Sequence, residues 1–193
     1  PGRVVILGGG VVGTEAAKIA VGMGAQVQIL DINLDRLNYL ETLFGSRVEL
    51  RYSEAMALQE LVPRADLVVG AVLVPGKRPP VLIGRDLIRQ MKPGSVVLDV
   101  AIDQGGSIET LRPTSHAEPT YLAEGVVHIG IPNLPGAVPW TATQALNHST
   151  LPYVLKLADK GRAALTTDPI LAGGLNLEQG KIIHPAIREV FPD

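Results

Sequence analysis

Three glycines, at positions 8, 10 and 13, form a G-x-G-x-x-G pattern directly behind a short apolar run. Gly8 permits a sharp turn, and Gly10 lets the backbone come close to a pyrophosphate. Gly13 lets the following helix pack closely on the preceding strand, so that the phosphates lie against the positive helix N-terminus. A strand, a glycine turn and a helix in this order predict a dinucleotide-binding site. Its phosphate side is predicted to consist of Gly8, Gly10, Val11, Val12 and Gly13.

A carboxylate ends the second apolar run, where an adenosine ribose would lie. Asp31 follows Gly13 by eighteen residues and can accept hydrogen bonds from both ribose hydroxyls. The same charge would repel the 2′-phosphate of NADP, so Asp31 favours NAD as the cofactor. Ile32, Arg36 and Ser53 are predicted to complete the adenosine side. Solvated surface positions are the alternative for Arg36 and Ser53.

A second acid stands at the predicted end of the fifth strand. Asp103 lies within the run D-V-A-I-D-Q-G-G at 99–106, directly after Ile102. Ligands of open α/β sheets bind along this edge, and a carboxylate held there can exchange protons with a substrate or fix its amine. The alternative is that Asp103 caps a turn, as Asp before a glycine pair often does. Spacing alone leaves both interpretations open.

Two proline-rich loops follow the fourth and sixth predicted strands. The loop at 74–80 can lay its backbone over the nicotinamide ribose, although a plain connection is the alternative. The loop at 131–139 contains three prolines and a glycine, which immobilise the amide of Asn133 so that it can orient a carboxamide or a substrate group. The predicted nicotinamide and substrate side therefore comprises Val72, Leu73, Ile102, Asp103, Asn133 and Leu134.

These residues are positioned by an alternation of strands and helices. Short, mostly β-branched apolar runs predict strands at 4–7, 27–30, 48–50, 67–69, 96–100 and 126–131. Helices are predicted at about 11–23, 33–44, 54–62 and 84–91, with Asn33 as the cap of the second. The alternation predicts an α/β fold, a doubly wound Rossmann-type sheet that is mainly parallel, with C-terminal helices.

The chain divides by pattern into two parts. We predict a NAD-binding Rossmann domain at 1–138 and a C-terminal helical segment at 139–193. Two long helical stretches are predicted on either side of Pro152, which should kink or restart the helix, with Ser149 or Thr150 available as a cap. The apolar face formed by Leu151 and its neighbours must be buried against something, which we interpret as a second domain.

The composition is that of a globular protein with a sizeable core. The chain has 193 residues, of which 46% are hydrophobic, and 17 Lys and Arg against 19 Asp and Glu give a net charge of −2. Without a basic block, nucleic acid is not expected as a partner. No apolar run approaches the roughly 18 residues that cross a bilayer, so a cytoplasmic location is predicted. With no cysteine and four scattered histidines, redox chemistry would fall to a bound cofactor, and no metal site is predicted.

Four segments together resemble the NAD-dependent L-alanine dehydrogenases. They are V-P-G at 74–76, D-V-A-I-D-Q-G-G at 99–106, R-P-T-S-H at 112–116 and P-N-L-P-G-A-V-P at 132–139. The run V-P-W-T-A-T at 138–143 is most similar to cyanobacterial members. The resemblance implies reversible oxidative deamination of alanine to pyruvate and ammonia, in hexamers of two-domain subunits whose active site lies in the interdomain cleft.

The resemblance also implies roles for individual residues. Asp103 matches the acid that takes part in catalysis, Asn133 the cleft asparagine and Asp31 the ribose acid. Leu134 stands where the family commonly has Met, a mild change in an apolar wall. The family's catalytic lysine and histidine and its carboxylate-binding arginine belong to an N-terminal half that matches nothing in this chain.

Because the chain starts at Pro1 and enters a strand almost at once, we interpret it as part of a longer protein. We expect it to be a cofactor-binding part that lacks full activity alone. Two alternatives remain, the nucleotide-binding part of a nicotinamide nucleotide transhydrogenase and a non-catalytic NAD-binding module. Asp103 in its D-Q-G-G setting favours the amino-acid enzyme.

Overall fold

A seven-stranded sheet forms the centre of the structure, a computed structural model that describes residues 1–75 and 77–191. Its strands are β1 (Arg3–Leu7), β2 (Gln26–Asp31), β3 (Val48–Tyr52), β4 (Leu67–Gly70), β5 (Val96–Asp99), β6 (Thr120–Ala123) and β7 (Val126–Ile129). Their order across the sheet is β3-β2-β1-β4-β5-β7-β6, and every adjacent pair is parallel except β6 with β7. The predicted α/β architecture with a mainly parallel, doubly wound sheet is confirmed.

Helices cover both faces of this sheet. They are α1 (Val11–Gly22), α2 (Leu34–Phe44), α3 (Ala55–Leu61) and α4 (Arg85–Ile88). Successive residues of β1 point to opposite faces, so Val4 and Ile6 belong to one apolar cluster with Leu40 of α2, whereas Val5 and Leu7 belong to another. Burial on both faces explains why the strands read as continuous apolar runs rather than as alternating ones.

The start of α2 is fixed by the predicted cap. The Oδ1 atom of Asn33 accepts a hydrogen bond from the Arg36 N–H at 3.0 Å. A cap of this kind contributes about 1 kcal/mol to helix stability. It matters for the site because α2 begins only three residues after Asp31.

The short edge strand β6 was not predicted from the sequence. It pairs antiparallel with β7 through a tight turn in which Glu124 and Gly125 have φ angles of 53° and 78°. Two positive φ values suit a hairpin between strands with right-handed twist. The Glu124 carboxylate accepts hydrogen bonds from Arg85 and Arg89, which lowers its pKa and joins the turn to α4.

The prediction of two helices separated at Pro152 is wrong. Helix α5 (Pro139–Lys160) passes through Pro152 without a break. A proline removes one backbone hydrogen bond but leaves those of the neighbouring turns in place. The candidate caps instead bond back along the helix, since the Ser149 hydroxyl donates to the Ala145 carbonyl at 3.0 Å and that of Thr150 to the Leu146 carbonyl at 2.8 Å.

Short elements follow α5 to the end of the described chain. They are α6 (Ala164–Thr167), α7 (Pro169–Gly173), the antiparallel pair β8 (Leu177–Glu178) and β9 (Lys181–Ile182), and α8 (Pro185–Val190). By its internal contacts the chain forms two units: one comprises 1–74 and 78–134, the other 135–191 with Pro75 and Lys77. Among residues 1–75 and 77–191, no helix is both long and apolar enough to cross a membrane.

Candidate functional site

The glycine turn between β1 and α1 is closed so tightly that side chains are excluded at two positions. Gly8 has a φ of 93°, and a Cβ there would lie 2.6 Å from the carbonyl oxygen of Ala71. A Cβ on Gly13 would lie 1.9 Å from the carbonyl oxygen of Gly8. Real Cβ atoms do not approach backbone this closely, so the first turn of α1 packs on the glycine turn only with glycine at both sites.

The first turn of α1 is open to a ligand. Gly10 provides no side-chain cap for this helix, so the first N–H groups lack the partner that a Ser or Asp cap would supply. A Cβ on Gly10 would meet no atom within 4 Å. Val11 and Val12, which follow, are 79% and 46% exposed. Such a helix N-terminus attracts anions through its N–H groups and its dipole.

Asp31 joins the end of β2 to the glycine turn. Its Oδ2 atom accepts a hydrogen bond from the Gly9 N–H at 2.7 Å, and its Oδ1 atom accepts one from the Asn33 N–H at 2.8 Å. A carboxylate has about four lone-pair sites, so two acceptor positions stay available. The half-buried Asp31 is therefore both an anchor for the turn and a possible partner for hydroxyl groups.

Arg36 lies against the glycine turn rather than in open solvent. Its Nε donates to the Gly9 carbonyl, and its Nη2 donates to the Thr14 hydroxyl at 2.7 Å. The guanidinium also lies over the ring of Tyr39, 4.7 Å from its centroid. These hydrogen bonds hold the positive charge of Arg36 next to the backbone of the glycine turn.

Two further residues predicted for the adenosine side lie beside Asp31. The Ser53 N–H donates to the Asp31 carbonyl at 3.0 Å, which brings the end of β3 next to the end of β2. Ile32 is 70% exposed. Asp31, Ile32 and Ser53 thus stand together at the carboxyl edge of the sheet.

The predicted nicotinamide side follows β4 and β5, the neighbours of β1 in the sheet. Val72 is half-buried against the core and Leu73 is exposed, whereas Ile102 is buried in the core. A contact between Ile102 and a cofactor would therefore have to come from its main chain. Asp103 is exposed on the 3-10 turn Ile102–Gln104. Gly76 of the predicted loop lies outside the described residues.

The turn-capping role considered for Asp103 belongs to Asp99. Asp99 is buried at the end of β5 and accepts hydrogen bonds from Ala101 and Ser107, on either side of the turn. Within the described chain, the Asp103 carboxylate has no hydrogen-bond or ion-pair partner. The signal in the sequence was an Asp directly at the end of an apolar strand, because a carboxylate buried there needs hydrogen-bond donors around it.

Asn133 is held by the R-P-T-S-H segment at 112–116. The His116 Nε2 donates to the Asn133 backbone carbonyl at 2.8 Å, and the Thr114 N–H donates to the Gly130 carbonyl at 2.8 Å. The link between His116 and Asn133 was not found from the sequence, because contacts between loops carry no periodic signal. The exposed Asn133 and the half-buried Leu134 lie after β7, which pairs with β5.

His128 is a core residue. It is fully buried in β7, donates through Nδ1 to the Val126 carbonyl at 2.9 Å and contacts the Thr110 hydroxyl through Nε2 at 2.7 Å. Its ring stacks on Tyr121 with centroids 5.0 Å apart. Burial lowers the pKa of His128 because it disfavours the charged imidazolium.

The structure brings most of the predicted residues to one edge. The carboxyl ends of β2, β1, β4 and β5, which are adjacent in this order, carry in turn Asp31, the glycine turn, Val72 and the Asp103 turn. In open α/β sheets this edge binds ligands, at the point where the strand order reverses on either side of β1. The arrangement can hold an elongated anionic ligand across several strands.

The chain is similar to known proteins over nearly its whole length. The alanine dehydrogenase of Halomonas elongata is 53% identical over 192 residues, covering 99% of this chain and 52% of the relative. A solved structure of an L-alanine dehydrogenase is 66% identical, with a TM-score of 0.90, and it covers all of this chain and 53% of that protein. A transhydrogenase from Sinorhizobium meliloti is similar in fold, with a TM-score of 0.76 at 24% identity.

The chain thus spans about half the length of the curated relatives it matches. The family model described as the C-terminal domain of alanine dehydrogenase/PNT matches residues 1–185, nearly the entire chain. The glycine turn, Asp31 and the Asp103 turn all lie inside that match. The chain belongs to the family of alanine dehydrogenase/PNT C-terminal domains.

Proposed function

We propose that this chain is the NAD-binding part of an L-alanine dehydrogenase. The complete enzyme would convert L-alanine, NAD⁺ and water reversibly into pyruvate, ammonium, NADH and a proton. The chemistry that NAD⁺ would supply when bound is the acceptance of a hydride. The proposal rests on the edge formed by the glycine turn, Asp31 and the Asp103 turn, together with the similarity to alanine dehydrogenases over the whole chain.

The residues at the glycine turn fit a dinucleotide. The uncapped N-terminus of α1 offers N–H groups to a pyrophosphate, and the space beside Gly10 lets the phosphates approach the backbone. Val11 and Val12 would present those groups to the phosphates. Gly8 and Gly13 keep the turn and helix in contact.

The surroundings of Asp31 favour NAD over NADP. Asp31 has acceptor positions left for the ribose hydroxyls, and its charge opposes a 2′-phosphate. Arg36 does not supply a free cation for that phosphate, because its guanidinium is bonded to the glycine turn. Ser53 and Ile32 would border the adenosine.

Asp103, Asn133, Leu134, Val72 and Leu73 are proposed for the reacting side. The Asp103 carboxylate is exposed and without a protein partner in the described chain, so it is free to hold or exchange a proton with the amino group of a substrate. Asn133 has a side-chain amide that can orient the nicotinamide carboxamide or the substrate. Leu134, Val72 and Leu73 would form apolar surroundings for the ring, with Ile102 contributing its backbone.

The remainder of the enzyme is part of the proposal, since the curated relatives are about twice as long as this chain. We expect the segment 139–193 to pack against that remaining domain, because none of the 22 described residues of α5 is buried and Leu151, Val154 and Leu155 are all more than half exposed. We also expect a hexameric complete enzyme located in the cytoplasm.

One experiment tests the proposal through binding and activity together. The 193-residue chain is titrated with NADH and NADPH by calorimetry, and its oxidation of NADH is followed with pyruvate and ammonium. The same assay is repeated after adding the N-terminal half of the enzyme, in trans or as one continuous chain. We expect the chain alone to bind NADH and not NADPH, and turnover to appear only with the added half.

The other outcomes identify the alternatives. Hydride transfer between two dinucleotides without any need for pyruvate would support the transhydrogenase interpretation. NADH binding with no turnover in the completed protein would support a non-catalytic module. Rapid pyruvate-dependent oxidation by the 193-residue chain alone would contradict the proposed division of the enzyme.

A further inference from the structure

Asp99 is the buried carboxylate at the carboxyl end of β5. It is 0% exposed, and its Oδ1 accepts a hydrogen bond from the Ala101 N–H at 2.9 Å. Its Oδ2 accepts two from Ser107, at 2.6 Å from the N–H and at 2.8 Å from the hydroxyl. Hydrogen bonds to a carboxylate are stronger than neutral ones, and water cannot compete for them in the interior.

These bonds bracket the turn that carries Asp103. Ala101 precedes the 3-10 turn Ile102–Gln104 and Ser107 follows it. Backbone hydrogen bonds close the loop further, since the N–H groups of Gln104 and Gly106 both reach the Ala101 carbonyl, at 3.0 and 3.1 Å. The placement of Asp103 therefore depends on anchors at 101 and 107, and both anchors are bonded to Asp99.

The neighbouring strand leaves room for this carboxylate. Gly70, which ends β4, is paired with Asp99 in the sheet. A Cβ on Gly70 would lie 2.5 Å from the Asp99 Oδ2 and 3.0 Å from the Ser107 hydroxyl. The absence of a side chain at Gly70 is thus required by the Asp99–Ser107 contact.

We propose that Asp99 and Ser107 are positioning residues, which fix the Asp103 carboxylate at the edge of the sheet for the reaction proposed above. Asp99 has no exposed surface, so it cannot touch a substrate or cofactor and acts only through the loop that it anchors. We call the hydrogen bonds from Ala101 and Ser107 to Asp99 the clamp. The role of Asp103 in this inference rests on the proposed function, whereas the clamp is a property of this chain.

The first arm of the test measures the clamp in the 193-residue chain, without cofactor. Ser107→Ala removes one hydrogen bond to Asp99 and should raise the hydrogen-exchange rates of the Gly105 and Gly106 amides about 3- to 10-fold, the equivalent of one hydrogen bond. Ser95→Ala is the matched control. It removes a buried hydroxyl at the other end of β5, where Ser95 donates to the Lys92 carbonyl at 2.6 Å.

The second arm uses the complete enzyme that carries this chain. Ser107→Ala should lower kcat about tenfold while the Kd for NADH stays within about twofold, because the phosphate side is untouched. In an Asp103→Asn background the same substitution should cause no further loss of kcat. A merely structural defect would instead add to the loss caused by Asp103→Asn.

Asp99→Asn should cause the same pattern with a larger loss of kcat. If Asp99→Asn fails to fold, Ser107→Ala still provides the test.

The outcomes separate the two proposals. Unchanged exchange at Gly105 and Gly106, or additive losses in the double variant, would overturn the positioning role. Absence of pyruvate-dependent turnover in the unsubstituted complete enzyme would overturn the proposed function instead. In that case the exchange measurement alone decides whether Asp99 and Ser107 clamp the turn.

Discussion

The Asp31 carboxylate accepts a hydrogen bond of 2.7 Å from the Gly9 N–H, so one side chain ties the end of β2 to the glycine turn after β1. The Arg36 guanidinium bonds the carbonyl of the same glycine from α2. Gly9 is thus held at both of its peptide groups. The residue expected to bind the ribose also shapes the phosphate site, and a change at Asp31 should affect both.

Replacing Asp31 with Ala should therefore weaken NAD binding strongly. Loss of a charge-assisted hydrogen-bonded anchor costs about 1.5 to 3 kcal/mol, roughly 10- to 150-fold in Kd. Calorimetric titration of the 193-residue chain measures the change directly. NADP should remain a poor ligand of the variant, because Arg36 stays committed to the turn.

Asp35→Ala is the control for this prediction. Asp35 is an exposed carboxylate in the first turn of α2, so its removal changes the net charge equally without touching the turn. Equal affinity of the unsubstituted chain for NAD and NADP would contradict the role given to Asp31. So would an Asp31→Ala protein that binds NAD as tightly as Asp35→Ala.

Gly13→Val should abolish NAD binding. Even the Cβ would lie 1.9 Å from the Gly8 carbonyl oxygen, so either α1 or the glycine turn must move. The N–H groups at the start of α1 would then no longer converge on the phosphates. Circular dichroism establishes that the variant is folded, and NADH fluorescence titration measures binding.

Gly22 provides a matched position in the same helix. A Cβ there would meet no atom within 4 Å, and a glycine-to-alanine change inside a helix stabilises by up to about 1 kcal/mol. Gly22→Ala should therefore keep NAD affinity and raise the melting temperature slightly. A folded Gly13→Val protein with unchanged affinity would mean that the phosphates bind elsewhere.

Much of the fold followed from the sequence because its determinants are local. The β-branched runs, the glycine turn and the Asn33 cap each lie within a few residues of what they control. Pro152 was misjudged for a related reason. Whether a proline ends a helix depends on the hydrogen bonds of the turns on either side of it. The proline residue itself indicates only that one backbone hydrogen bond is lost.

The site was predicted less completely, because its supporting contacts join distant segments. Asp99 bonds Ser107 across the turn, and His116 bonds Asn133 from another loop. Nothing in the spacing of these residues distinguishes a support from a ligand-binding group. Asp99 directly ends an apolar run, which hints at burial, but only the structure shows that the hydrogen bonds around the turn go to Asp99 and not to Asp103.

His116→Ala should weaken NADH binding about 2- to 10-fold, the usual effect of one lost hydrogen bond. The Asn133 carbonyl would lose its donor, and the loop that presents the Asn133 amide would become less ordered. His116→Gln keeps an N–H donor on a side chain of similar reach and should restore the affinity to within about twofold. His148→Ala, at an exposed position of α5, controls for loss of an imidazole. Equal affinities in all four proteins would show that Asn133 does not depend on His116.

His128 should make folding stability depend on pH below its ordinary pKa of 6.5. Burial holds its pKa below the ordinary value of 6.5, so the unfolded chain binds a proton more readily than the folded one. The contribution of neutral His128 to the free energy of unfolding is therefore fully present above pH 6.5, and it is lost as the pH falls toward the folded-state pKa. The carboxylates whose pKa values are lowered, Asp66, Glu124 and Asp168, have ordinary values of 3.8 to 4.5 and act at lower pH. Urea unfolding at pH 7 and pH 5.2 measures the difference, which His128→Gln should reduce and His148→Gln should leave unchanged. A pH dependence that survives His128→Gln would mean that another group takes up the proton.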